Sequence, residues 1–168
     1  MKNNQLIPGE PLREGVDLIA DKKTGALIVV GSSAKLDKIS SGGINLYNCK
    51  FTPEMLCELA KMDGAIIVDQ NVDTILKANV HLNPSDLIET SQTGTRHRTA
   101  QRVSVETELD VIAVSDESGI IKVFSNNDVN ELEESSMILG RVNESLQSID
   151  RTRTVSYTHL TLPTTIEV

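Results

Sequence analysis

Apolar positions along this chain fall into two rhythms. In "PLREGVDLIADKK" (residues 11–23), Leu12, Val16 and Ile19 recur at helical spacing behind a proline suited to a first turn, which predicts an amphipathic helix. "TGALIVVG" (24–31) is instead an unbroken β-branched run closed by Gly31, as expected of a strand covered on both faces. "SSGGINLYNCK" (40–50) has the chemistry of turns. "TPEMLCELAKM" (52–62) opens with Thr52 as an N-cap, Pro53 at the first helical position and Glu54 behind it, predicting a second helix. "DGAIIVD" (63–69) reads as a helix exit followed by another buried strand, and "TILKANVHL" (74–82) as a third.

Beyond these, "NPSDLIETSQTGT" (83–95) is a loop by composition, and the pattern turns helical from Thr95 to about Glu108 with Ala100, Val103 and Thr107 on one face. Residues 109–127 predict two strands around the turn "SDESG". From 128 to 150, Leu132, Leu139, Val142, Leu146 and Ile149 are spaced by sevens, threes and fours, a helix with a narrow apolar seam. Alternating helices and buried strands imply an α/β fold, a central mixed β-sheet flanked by helices and followed by a C-terminal helix. The expected organisation is a core over 1–127, a helix over 128–154 and a tail over 155–168. That tail, "VSYTHLTLPTTIEV", is Thr-rich, almost uncharged and unrelated to the helical seam, so it is expected to be non-native and is kept out of the fold argument.

Composition narrows this picture. At 168 residues there is room for one domain with a sizeable core, and with aromatics at 2% and no Trp that core must be aliphatic. Cys49 and Cys57 have no CxxC spacing and read as reduced thiols. No apolar run approaches the roughly 18 residues of a membrane span, and the N-terminus lacks an apolar leader region, so a soluble cytoplasmic chain is expected. The formal net charge of −8 argues against general binding to a nucleic-acid backbone, which needs many Lys and Arg contacts.

Within this acidic chain, "TGTRHRTA" (93–100) concentrates Arg96, His97 and Arg98 at a predicted helix start, with Thr95 placed to cap. Ligands of open α/β sheets gather at the carboxyl ends of strands and at helix N-termini, where free N–H groups favour anions. Cations there oppose the helix dipole unless an anion is bound, which makes phosphate the natural guest. Ordinary pairing with surface carboxylates is the competing account, and His97 also fits a structural hydrogen-bonding role. Arg96 and Arg98, two apart, point to different sides, whereas Arg98 and Arg102 share a face. A second candidate is Asp63, at the mouth of a buried strand before Gly64 and Ala65: a carboxylate suited to Mg²⁺ and to deprotonating a hydroxyl, or simply part of an Asp-Gly turn. A third is Ser115, with Asp116 and Glu117, in the "SDESG" turn, where the hydroxyl fits a phosphate and an ordinary hairpin turn serves equally well. The common nucleotide loops GxxxxGK[ST] and GxGxxG are absent.

Taken in order, "PGEPLREGVDLI", "TGALIVVG", "FTPEMLCELAKMDGAII", "ANVHLNP" and "TGTRHRTAQRV" resemble the diadenylate cyclase (DAC) domain of the DisA family over about residues 7–150, with the motifs DGA at 63–65 and RHR at 96–98 intact. The resemblance implies a cyclase that condenses two ATP into cyclic di-AMP and two pyrophosphates, with Mg²⁺ or Mn²⁺, in a homo-oligomer, an octamer in the family, whose half-sites face each other. It implies that Asp63 binds the metal and activates the 3′-hydroxyl. Gly64 and Ala65 admit the nucleotide, Thr95, Arg96, His97, Arg98 and Thr99 hold phosphates and order the facing half-site, and Ser115 contributes a phosphate contact. The alternative is an ATP-binding or cyclic di-AMP-binding fragment that fails to assemble. Two departures stand out. The family's helical spine and helix-hairpin-helix DNA-binding domain are not complete here, so specific DNA binding is not expected. "SDESGIIKVF" is also more acidic than the family's stretch, and resembles the turn of membrane-anchored diadenylate cyclases.

Overall fold

The computed structural model describes residues 4–166, and for 155–166 the backbone alone. It divides into two compact units, Met1–Leu132 and Glu133–Val168.

The first unit opens with α1 (Pro11–Asp21), whose Leu12, Val16 and Ile19 are buried as their spacing requires. It leads into β1 (Ala26–Val30), all five residues of which are buried. There follow α2 (Ala34–Ile39), β2 (Ser40–Ser41), β3 (Ile44–Lys50), α3 (Pro53–Leu59), β4 (Ala65–Val68), β5 (Thr74–Leu82), α4 (Thr95–Thr107), β6 (Asp110–Val114), β7 (Ile121–Ser125) and β8 (Asp128–Leu132). Thr52 caps α3 as expected, its Oγ1 accepting from the Met55 N–H at 3.1 Å, and Ser33 caps α2 on Leu36 at the same distance.

The strands form one mixed sheet in the order β2-β5-β4-β1-β6-β7-β8, with β3 also pairing with β5. The β1/β4 pair is parallel, in register Ile28↔Ile66 to Val30↔Val68, and the other pairs are antiparallel. Alternation along the central strands separates two cores. Ile28, Val30, Ile66, Val68, Ile112 and Val114 face the side carrying α1 and α3, while Leu27, Val29, Ile67, Val111 and Ala113 face α2 and α4. The core is aliphatic but for Phe51 and Phe124, as the composition demands.

Two local expectations change. Residues 40–50 are not a run of turns but two short edge strands. Gly42 and Gly43 supply the bend between them at φ +65° and +89°, and a bulge with Asn48 at φ +55° follows within β3. Most of β3 is exposed, which explains its polar, turn-like sequence. Residues 128–132, expected to begin the C-terminal helix, are β8, paired with β7 from Ser125↔Asp128 to Ile121↔Leu132 across Asn126 at φ +56°. Leu132 thus ends a strand, whereas Leu139, Val142, Leu146 and Ile149 lie on the helix. In the second unit α5 (Ser135–Ile166) is that helix, and its backbone continues through 155–166. The character of the 155–168 tail lies otherwise outside the described residues. Among the described residues no helix is long and apolar enough to cross a membrane.

Candidate functional site

Five segments distant in sequence meet at one end of the sheet around a cleft of about 610 Å³. They are the approach to β1 (Thr24, Gly25), the bend before β4 (Lys61 to Ala65), the end of β5 (Val80 to Leu82), the first turn of α4 with Thr93 and Gly94, and the turn after β6 (Ser115 to Glu117). Because β1 and β4 are parallel, the cleft lies at the amino ends of these two strands, opposite to the carboxyl-end location expected of open α/β sheets. Antiparallel β5 and β6 bring their carboxyl ends to the same place.

Asp63 is exposed at the cleft wall, immediately before β4, and Ala65 behind it is fully buried. Gly64 sits at φ +89°, and a Cβ there would come within 2.8 Å of the Val80 carbonyl oxygen and 2.9 Å of the Asn79 carbonyl carbon. Its lack of a side chain is therefore required by the backbone of β5 and not by ligand access alone.

At α4 the helix begins one residue earlier than a Thr95 cap would place it. Gly94 is the N-cap, with extended backbone and no side-chain cap hydrogen bond, and Thr95 is the first helical residue. The N-cap glycine thus offers the first-turn N–H groups no side-chain acceptor, and Gly94, Thr95, Arg96 and His97 line the cleft, an arrangement that suits an anion. Thr99, one turn on, donates its Oγ1–H to the Thr95 carbonyl at 3.0 Å.

Arg96 and His97 turn into the cleft. Nη1 of Arg96 lies 3.4 Å from Oδ1 of Asp116, an ion pair reaching across the start of β1. Gly25, at φ +70°, makes room for it: a Cβ would sit 2.6 Å from Nη1, 2.9 Å from Cζ and 3.0 Å from the Asp116 Cβ. The half-buried His97 ring meets Phe124 edge-on, with centroids 6.3 Å apart and planes at 70°. Burial holds the His97 pKa below the usual 6.5, helped by the positive charges of Lys122 and Arg96 and opposed by Asp116 and Glu131. At neutral pH the imidazole is therefore neutral, with a ring nitrogen able to accept and another able to donate. Ser115 lines the cleft from the opposite wall, its Oγ accepting from the Ser118 N–H at 3.2 Å.

Eight of the sequence-derived positions, Asp63, Gly64, Ala65, Thr95, Arg96, His97, Thr99 and Ser115, thus share one cleft. Arg98 does not line it; its Nη2 donates to the Thr93 carbonyl at 2.8 Å. Sequence reasoning missed Gly25, Lys61, His81 and Thr93. Only Gly25 left a trace, as a glycine directly ahead of a buried apolar run. Among the described residues no group of three or more His, Cys, Asp or Glu side chains could hold a metal unaided. A single exposed carboxylate does fit Mg²⁺, which is commonly held by one or two carboxylates together with substrate phosphates; Asp63 meets that description.

Known proteins match this chain throughout the first unit. Residues 13–129 match the family model DAC, described as DisA bacterial checkpoint controller nucleotide-binding. The DNA integrity scanning protein DisA of Kineococcus radiotolerans is 47% identical over 148 residues, covering 88% of this chain and 41% of the relative. The DisA protein of Clostridium tetani is 43% identical over 148 residues, with the same coverage of 88% and 41%. This chain therefore spans about two-fifths, 41%, of the length of these relatives. Among solved structures, DacA from Staphylococcus aureus, solved as a double mutant, is similar with a TM-score of 0.59 and 27% identity over 78% of this chain and 89% of that one. A hypothetical membrane spanning protein from Bacillus cereus is similar with a TM-score of 0.63 and 25% identity, over 73% and 62%.

Proposed function

This chain belongs to the DAC family of nucleotide-binding domains, and on that premise we propose that it is a diadenylate cyclase, condensing two ATP molecules into cyclic di-AMP with release of two pyrophosphates. The observation that carries this reading is the convergence of Asp63 with Arg96, His97 and the uncapped start of α4 in one cleft, a carboxylate facing anion-binding groups.

The reaction asks each 3′-hydroxyl to attack the α-phosphorus of the other ATP in line. The new 3′–5′ ester bond forms as the bond from the α-phosphorus to the bridging oxygen breaks, and that oxygen leaves on pyrophosphate. The hydroxyl proton must go to a base, a role this reading gives to Asp63; of the other carboxylates lining the cleft, Asp116 is engaged by Arg96. Arg96, the N–H groups of Thr95 and its neighbours, and Ser115 hold phosphate oxygens, while neutral His97 donates one hydrogen bond without adding a charge that would need desolvation. Asp63 would also hold Mg²⁺ or Mn²⁺ jointly with the substrate phosphates, and such an ion, when bound, neutralises charge on the triphosphate. Both bonds close only where two nucleotides face each other, so the active form is a homo-oligomer with opposed half-sites.

Incubating the purified chain with ATP and Mn²⁺ or Mg²⁺, with chromatography and mass detection of products, should yield cyclic di-AMP. Asp63→Asn should abolish the product while ATP still binds. Unchanged turnover in that variant refutes the role given to Asp63. Bound but unconverted ATP in the wild-type chain, in particles that sediment as monomers, identifies a binding fragment that fails to assemble.

A further inference from the structure

One face of α4 grips the loop that precedes it. Arg98, Arg102 and Glu106 stand four apart, so they stack along a single stripe of the helix. The loop of residues 83–94 runs back along that stripe and is bonded at each step. Arg98 Nη2 donates to the Thr93 carbonyl at 2.8 Å, Arg102 Nε to the Ile88 carbonyl at 3.0 Å, and Arg102 Nη1 to Asp86 at 2.8 Å. The Glu106 carboxylate accepts from the Ser85 N–H at 2.8 Å. From outside the stripe, Lys122 Nζ donates to Gln92 Oε1 at 3.1 Å. The loop has little regular structure of its own, so these side chains satisfy backbone groups that a sheet or helix would otherwise pair. Its last residues, Thr93 and Gly94, form part of the cleft wall.

We propose that Arg98, Arg102 and Glu106 are positioning residues, a ladder that fixes the loop of residues 83–94 as a wall of the nucleotide cleft, and that Arg98 serves the site through the Thr93 carbonyl without touching nucleotide. The proposal rests on the nucleotide cleft inferred above. It separates the two arginines of the RHR motif by task. Arg96 faces the cleft, and Arg98, two residues and about 200° further round the helix, faces the loop. It also gives Arg102 and Glu106, which lie outside the motif, a part in the same device. The contact from Arg98 is a single donor to a carbonyl, which a lysine ammonium can also supply.

The test compares Arg98→Ala, Arg98→Lys, Arg102→Ala and Arg96→Ala in the full chain by amide hydrogen exchange and by ATP titration. Losing a charge-assisted hydrogen bond should raise exchange across 83–94 by about tenfold in Arg98→Ala and in Arg102→Ala. Both should also weaken ATP binding, and the double variant should lose less than the product of the two losses, because each releases the same loop. Arg98→Lys should restore loop protection. Arg96→Ala should weaken ATP binding and leave exchange in the loop unchanged. The proposal is overturned if Arg98→Ala loses ATP binding with the loop still protected, or if Arg102→Ala exposes the loop and binds ATP like the wild type. Hydrogen exchange needs no turnover, so a wild-type chain that makes no cyclic di-AMP would count against the proposed reaction and leave this result readable.

Discussion

Gly25→Ala should weaken ATP binding without removing any group that touches ATP. The backbone there is left-handed, at φ +70°, which costs a residue with a Cβ about 1–2 kcal/mol of stability. The new methyl would also lie 2.6 Å from Nη1 of Arg96, and carbon and nitrogen are comfortable only near 3.5 Å, so the guanidinium must retreat by roughly 1 Å. The far end of an arginine yields easily, and the displacement therefore falls on Arg96 more than on the sheet. A charge-assisted hydrogen bond to phosphate contributes about 1.5–3 kcal/mol, and a shift of this size forfeits most of it. ATP affinity should fall roughly 10- to 100-fold, while a denaturant melt shows a loss of only about 1–2 kcal/mol. Titration calorimetry on Gly25→Ala, Arg96→Ala and the double variant separates the two effects. If Gly25 acts by seating Arg96, adding Gly25→Ala to Arg96→Ala costs little further affinity. Wild-type ATP affinity in Gly25→Ala, with the stability loss present, would refute the reasoning.

Gly64→Ala should be more damaging to the fold, because its methyl would press on the backbone of β5, at 2.8 Å from the Val80 oxygen, and backbone cannot swing aside. A loss of about 2–4 kcal/mol is expected in chemical denaturation, and an unshifted midpoint contradicts the packing of β4 against β5. For His97 the folded pKa lies below the unfolded value, so as pH falls the unfolded chain takes up the proton first. The stability that depends on neutral His97 is present above the usual 6.5 and is lost as pH falls below it toward the folded pKa. An NMR titration should give a midpoint under 6.5 in the nucleotide-free chain, rising when ATP binds; a midpoint at or above that value without nucleotide overturns the account.

Much of this was legible because the central strands are covered on both faces. "ALIVV" and "AIIV" announce themselves as apolar runs, and the spacing of Leu12, Val16 and Ile19 announces α1. The edges hid themselves for the converse reason. Exposed β3 and β8 carry Asn, Lys, Asp and Glu, so their pairing partners define them and their own composition does not. At six residues, α2 is too short for a helical period to show. In the site, Asp63 and the RHR motif advertised chemistry through residue type. Helical geometry separated Arg96 from Arg98, but only the packed structure decides which of them meets the cleft. Lys61 and His81 were silent because their reason for being at the cleft lies in segments far away in sequence.

The full burial of β1 has a consequence for how this chain finds its alignment. A strand with one wet face is locked by its own alternation, since a slip of one residue would turn apolar side chains into water. β1 enjoys no such protection: shifted by one, Ala26, Ile28 and Val30 would exchange places with Leu27 and Val29 between two equally dry layers. Alignment must then come from the ends, where Gly25 at φ +70° and Gly31 at φ +104° break the strand at fixed points. The residue that makes room for the Arg96 guanidinium is thus also a punctuation mark. An insertion beside it would misthread the middle of the sheet before it disturbed any chemistry.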